Sequence, residues 1–107
     1  MTEQEFRDNA EAAIEALKRS LYDAEGDADI EVEESGGALQ VNFEDGARFV
    51  VSPNAPVKQI WISALATSFK LDWNGEAFVL AKTGENLKTL MSRLINQQLG
   101  EDAVSLE

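Results

Sequence analysis

The chain begins and ends with stretches in which apolar residues recur every three or four positions, the spacing of a single helix face. In the first stretch the apolar residues are Phe6, Ala10, Ala13, Ile14, Leu17 and Leu21. In the second they are Leu87, Leu90, Met91, Leu94 and Ile95. Thr2 and Glu5 have the spacing of a capping box, and Gly100 follows the last apolar turn of the second stretch. The pattern predicts a helix at each end of the chain.

Between these stretches the apolar period changes to two, which is typical of strands with one buried face. The alternating apolar positions include Ile30, Val32, Leu39, Val41, Phe43, Phe49, Val51, Ile60, Ile62, Phe69, Leu71 and Phe78. Gly36-Gly37, Asp45-Gly46 and Asn74-Gly75 indicate hairpins, and Pro53 and Pro56 should stop the third strand. The pattern predicts five to six antiparallel strands.

The economical packing of these elements is an α+β fold, a two-layer α/β sandwich, with both helices on one face of the sheet and the other face open to water. We expect residues 1–107 to form a single domain, since the length is typical of one domain and the chain shows no linker or internal repeat.

Composition excludes several kinds of chemistry. The chain has no cysteine and no histidine, so disulfides, thiolate metal sites and the commonest general base are absent. Hydroxyl side chains therefore have no evident base to activate them, and we expect no enzymatic activity. An apolar run of about 20 residues, as a membrane span requires, is also missing, and the acidic beginning does not resemble a signal peptide. We expect a soluble, cytoplasmic protein.

The net charge of −11 is concentrated near the beginning of the chain. Residues 1–34 carry 12 acidic and three basic side chains, whereas residues 35–107 carry eight acidic and six basic ones. A surface with this excess repels nucleic acid and anionic lipid, and attracts cations or a basic protein surface.

Residues 23–34 hold seven of the carboxylates, and three interpretations compete. An EF-hand-like calcium loop fits poorly, because Ala28 stands where that loop requires glycine. In the second interpretation the acids have no binding role, and their charge prevents an edge strand of the sheet from pairing with another chain. In the third interpretation two rows of oxygen ligands form an open ridge that binds iron and other hard cations weakly. The rows are Asp8, Glu11 and Glu15 on the helix, and Asp29, Glu31 and Glu33 on the strand.

Trp61 falls on the solvent side of its strand, because Ile60 and Ile62 are assigned to the core. Gln59 should lie beside it. A solvent-facing indole is a candidate hot spot for a protein partner. The alternative is that the ring packs against a neighbouring cation such as Arg48.

Several segments in this order resemble the frataxin family, bacterial CyaY branch, over residues Glu5 to Gln98. They are "DADIEVE", "GGALQVNFEDG", "PVKQIW" with Pro56, Gln59, Ile60 and Trp61, and "TGENL". The resemblance implies the same fold and an iron-binding protein of iron–sulfur cluster assembly that modulates cluster formation. Its acidic ridge would dock on the cysteine desulfurase, and the sheet face with the tryptophan would lie near the scaffold protein.

Together, the helix row and the resemblance give the residues that we call the acidic ridge: Glu11, Glu15, Asp23, Glu25, Asp27, Asp29, Glu31 and Glu33. Iron, as Fe2+ or Fe3+, would be held there weakly by surface carboxylates. The predicted partner-binding residues are Asn54, Gln59 and Trp61. We expect a monomer that binds neither nucleic acid nor membranes and that could form oligomers with metal. The alternatives are an iron-storage or ferroxidase-type protein, or an acidic module for another basic protein.

The chain departs from the family pattern in several places, and two of them bear on the ridge and on metal binding. Lys18, Arg19 and Tyr22 occupy the end of the first helix, which is usually acidic in the bacterial branch. Lys18 and Arg19 are spaced to pair with Glu15, which would shorten the ridge. Lys70 stands where the family usually has histidine, so metal sites that use that histidine are excluded.

Overall fold

A computed structural model of the protein describes residues 1–26 and 28–106. The two helices are α1 (Glu3–Ala24) and α2 (Leu87–Leu99), and a short 3-10 turn spans Ala55–Val57. The strands are β1 (Ile30–Ser35), β2 (Ala38–Phe43), β3 (Arg48–Asn54), β4 (Gln59–Ala64), β5 (Thr67–Trp73) and β6 (Phe78–Val79). Within the described residues, the predicted order of helix, antiparallel strands and helix is confirmed, with six strands.

The strands form one sheet in chain order, each antiparallel to the next. Alternate residues of β1 to β4 are buried with the apolar stripes of both helices in one core. The helices therefore cover one face of the sheet, as the two-layer prediction requires, and leave the other face open. None of the helices in residues 1–26 and 28–106 is long and apolar enough to cross a membrane.

The helix boundaries lie where the sequence signals place them. The Thr2 hydroxyl accepts from the Glu5 backbone N–H, and the Glu5 carboxylate accepts from the Thr2 N–H, both at 3.1 Å. This capping box holds the pKa of Glu5 below its usual range, chiefly through the bond from the Thr2 backbone. Asn86 caps the beginning of α2 with a side chain that accepts from Thr89 N–H, and Gly100 caps its end with φ of 75°.

Two turns differ in how well the sequence signals them. Gly36 and Gly37 join β1 to β2 with φ of 60° and 86°, which glycine adopts without strain. Leu65 and Ala66 join β4 to β5 with φ of 53° and 59°. Since a side chain in this region costs about 1 kcal/mol, the second turn is strained and carries no glycine to indicate it.

The prediction that Pro53 stops the third strand was wrong, because β3 continues to Asn54 and Pro53 pairs with Ile60 of β4. Strand β2 pairs with β3 only as far as Val51. Pro53 therefore lies where β3 has a neighbour on one side only, and an edge position of this kind tolerates the missing N–H.

The end of the chain is fixed against α2. The Asn96 side chain accepts from the N–H groups of Ala103 and Val104 and donates to the Val104 carbonyl, each at 2.9 Å. The Ser92 hydroxyl accepts from Leu106 N–H. Val104 and Leu106 are buried, so the end of the chain adds two apolar side chains to the core.

The segment before α2 is held by an ion pair with two contacts. Arg93 donates from Nε and Nη2 to the two Glu85 oxygens at 2.8 and 2.9 Å, and the Thr83 hydroxyl adds a third bond. The Arg93 contact, followed by the Thr83 bond, lowers the pKa of Glu85.

Because this pKa is lowered in the folded chain, the stabilisation by Glu85 is present above the pKa of an unfolded glutamate, about 4.3, and is lost as pH falls through the folded value. We expect Glu85→Gln to lower the free energy of unfolding by about 1 kcal/mol at pH 7, a modest value because Arg93 is half exposed. The difference from wild type should shrink towards zero as pH falls below the lowered pKa of Glu85, as measured by urea unfolding at a series of pH values. A difference that stays constant with pH would contradict this role, and Glu76→Gln, at an exposed turn position, is the matched control.

Candidate functional site: the acidic ridge and the tryptophan face

The strand row of the ridge lies on the open face of the sheet at its border. Strand β1 is the edge strand, and its Ile30 and Val32 are buried against the helices. Glu31 and Glu33 alternate with them and are exposed, directly across from Asn42 and Gln40 of β2. Both carboxylates therefore face solvent on the side away from the helices.

The helix row is partly neutralised by a lysine. Lys18 Nζ lies 2.7 Å from a Glu15 oxygen and 3.5 Å from a Glu34 oxygen of β1, and its side chain is only 19% exposed. The bond between Lys18 and Glu15 lowers the pKa of Glu15 and raises that of Lys18, so both stay charged. Glu11 lines the same groove as Glu15 and Glu34. Lys18 thus joins α1 to β1, and the expected shortening of the ridge at this end is present in the fold.

Glu25 has a structural contact of its own. Its Oε2 accepts from the Val32 backbone N–H at 2.8 Å. Val32 belongs to the edge strand, so this carboxylate occupies an amide that the sheet itself leaves unpaired. Glu25 is accordingly less available for a cation or a partner than its sequence position suggests.

The remaining ridge acids that the structure describes are exposed at the border: Glu11, Asp23, Asp29, Glu31 and Glu33. Asp27 lies outside the described residues. Among the described residues, no three acidic side chains come together closely enough to hold a metal ion. Carboxylate oxygens suit iron chemically, but this arrangement spreads them over a surface and does not enclose an ion.

Two acids that the sequence prediction left out of the ridge lie beside it. Glu34 contacts Lys18, and Glu44 lines a hollow of about 340 Å³ together with Asp29 and Glu31. The pairing of Ile30 with Phe43 brings Glu44 to the beginning of β1. The pairing register of the β1–β2 hairpin would have predicted that Glu44 lies beside the ridge.

The predicted partner-binding residues are neighbours on the open face. Asn54 is directly across from Gln59, and Gln59 lies two residues before Trp61 on β4. Trp61 Nε1 donates to Gln59 Oε1 at 2.8 Å, and Gln59 Nε2 donates to Asp72 Oδ1 at 2.9 Å. This chain of bonds fixes the orientation of the half-buried indole.

The cation over the indole is Lys70, and the suggestion of Arg48 was wrong. Lys70 lies directly across from Trp61 on β5, and its Nζ is 5.0 Å from the ring centroid. Arg48 is on the same open face but pairs with Asn42 at the far end of β3. Trp61 and Gln59 are half-buried and Asp72 is exposed, so this cluster remains accessible at the surface.

The acidic ridge and the tryptophan face belong to one continuous surface. On the open side of the sheet, Glu33 is followed across the strands by Gln40, Val50 and Ser63, and the next position of β4 on that side is Trp61. A single partner assembly could therefore contact both.

A sequence model of the frataxin-like domain matches residues 1–101 of the chain. The chain belongs to the frataxin-like family. One relative of this frataxin-like protein is the iron-sulfur cluster assembly protein CyaY of Variovorax paradoxus, strain S110, which is 34% identical over 104 residues and 94% of each chain. The resemblance inferred from sequence is thereby confirmed.

Solved structures of other frataxins share the fold of this family member. The frataxin of Psychromonas ingrahamii superposes with a TM-score of 0.84 over 100% of both chains at 21% identity. A trimeric frataxin of Saccharomyces cerevisiae gives a TM-score of 0.72 at 21% identity, covering 87% of this chain and 80% of that one. At these identities the structural likeness establishes the frataxin fold.

Proposed function

We propose that the protein takes part in iron–sulfur cluster assembly as a non-enzymatic accessory protein that modulates cluster formation. Its acidic ridge would dock on a basic surface of the cysteine desulfurase in the cytoplasm. The observation that carries this proposal is the row of exposed carboxylates at one border of the sheet, in a chain whose relative at 34% identity is named for iron–sulfur cluster assembly.

Docking fits the ridge better than tight chelation does. Exposed acids over a broad border give a long-range field that attracts and orients a basic protein surface. Iron, as the cargo of the pathway, would bind the same carboxylates weakly and with poor selectivity, because the described acids are not gathered around one point. An oxidase centre would need that gathering, so a storage or ferroxidase-type function is less well supported.

The tryptophan face supplies the second contact, towards the scaffold protein. Trp61 is large and half-buried, and Gln59 and Asp72 hold it in one orientation. Since the side chain is already ordered, a partner that buries it would lose little conformational entropy on binding. Asn54 and Gln59 lie beside the indole and would place polar groups at the edge of that interface.

Charge reversal at the strand row tests the docking. We expect Asp29→Lys/Glu31→Lys/Glu33→Lys to weaken binding to the cysteine desulfurase of the same organism at least tenfold in isothermal titration calorimetry. We also expect this variant to lose the effect that the wild-type protein has on sulfide production by the desulfurase and scaffold. The reason is that three attractive contacts become repulsive ones.

The matched control is Glu76→Lys/Glu101→Lys/Asp102→Lys, which changes the net charge equally at exposed positions away from the ridge. It should bind within about threefold of wild type at moderate salt, where long-range charge effects are screened. If the strand-row variant binds as tightly as this control at low salt, docking through the ridge is refuted.

A further inference from the structure

One aromatic side chain stands exposed among the acids of the ridge. Tyr22 is the only tyrosine of the chain, lies in the last full turn of α1 and is 45% exposed. Large apolar side chains that are this exposed are rare in the part of the chain that the structure describes, the others being Met1 and Val57. Exposed tyrosines are common anchors of protein interfaces, because they offer a rigid ring at low entropic cost.

Two contacts fix the side of α1 on which Tyr22 lies. Lys18, four residues earlier, reaches Glu34 of β1, and Glu25, three residues later, reaches the Val32 N–H of the same strand. Residues at these spacings share one side of a helix. Tyr22 therefore lies beside β1, between the neutralised part of the ridge and its exposed acids.

The end of α1 also favours a positive group from outside. The last turn of this 22-residue helix carries Asp23 and no basic residue, although a helix C-terminus has a partial negative charge. Lys18 and Arg19 are the nearest cations along the helix, and both contact Glu15 one turn or more away from this end. A cation placed over Tyr22 would gain from the ring, from Asp23 and from the helix dipole together.

We propose that Tyr22 is the aromatic anchor of the acidic ridge and that it receives an arginine side chain of the basic partner. An arginine guanidinium is planar and weakly hydrated, so it stacks on an aromatic ring while its edge bonds to carboxylates. A lysine ammonium would pair with the carboxylates but would stack less favourably on the tyrosine ring. This inference rests on the proposed docking of the ridge on a basic protein.

Binding to the desulfurase gives the first test. We expect Tyr22→Ala to weaken binding about tenfold and Tyr22→Phe to stay within about twofold of wild type, because the ring face makes the contact. Val57→Ala, at another exposed apolar side chain outside the ridge, should bind as wild type does. The slope of log Kd against log salt should be unchanged in Tyr22→Ala, whereas the charge-reversal variant should lower it. Equal binding by Tyr22→Ala and wild type would overturn the inference.

A second measurement is independent of the desulfurase. We expect nona-arginine to shift the NMR signals of the Tyr22 ring and to bind more tightly than nona-lysine of the same charge, and this preference should vanish in Tyr22→Ala. Equal affinity of the two peptides, or a preference that survives in Tyr22→Ala, would overturn the inference. If wild type fails to bind the desulfurase, the proposed function fails, and the peptide titration still decides whether Tyr22 selects arginine.

Discussion

Phe78→Ala should lower the free energy of unfolding by about 3–5 kcal/mol, the cost of removing a fully buried aromatic ring and leaving a cavity. Phe78 is 1% exposed and packs edge-to-face on Phe6 of α1, with ring centroids 5.8 Å apart, and on Trp73 of β5 at 5.1 Å. The ring thus joins the first helix to the last, two-residue strand. A loss of this size is a large part of the 5–15 kcal/mol that usually stabilises a small domain.

Urea unfolding followed by circular dichroism measures this loss. Val79→Ala, at the next and only partly buried position of β6, is the control and should cost less than about 1.5 kcal/mol. Comparable losses in both variants would mean that β6 is stabilised by its backbone pairing, with little contribution from the aromatic cluster.

Asn96→Ala should cost at least about 3 kcal/mol, because one side chain makes three hydrogen bonds to the end of the chain. Each bond contributes about 1 kcal/mol net, and the backbone groups left behind lose partners in a partly buried place. Val104 and Leu106 would then leave their positions against the core, which adds a hydrophobic loss. Thermal and urea unfolding should both report the change.

The neighbouring variant Gln97→Ala, at an exposed position of the same helix, should change stability by less than about 0.5 kcal/mol. Removing residues 101–107 should destabilise the protein about as much as Asn96→Ala does, and combining the two should add little. Additive losses would show that Asn96 stabilises the fold by some route other than the chain end.

The fold could be predicted from the sequence because the spacing of apolar residues distinguishes the helices from the strands. The stripe from Phe6 to Leu21 and the alternation through Ile60 and Ile62 assign buried faces directly, and all four of these residues are in the core. Glycine-containing turns gave the hairpin positions. The strained turn at Leu65 and Ala66 gave no such signal, because its conformation is imposed by the pairing of β4 with β5.

The acidic ridge was less predictable, because what a carboxylate does depends on neighbours that are distant in sequence. Spacing alone indicated that Lys18 pairs with Glu15, but only the packing of α1 on β1 adds Glu34 to that contact. Nothing in the alternation of β1 indicated that Glu25 would bond to the Val32 amide. Likewise, the choice between Lys70 and Arg48 over Trp61 required the register of β4 and β5.

The bond between Glu25 and Val32 has a consequence for self-association. A second molecule that sought to continue the sheet beyond β1 would find that amide occupied and would meet the acids Glu31 and Glu33. At the opposite border, Leu80 N–H is bonded to the Glu85 carbonyl, so the segment before α2 covers β6. At both borders of the sheet, groups that could pair with another molecule's strand are therefore already bonded or flanked by charge, which opposes growth of the sheet into fibres.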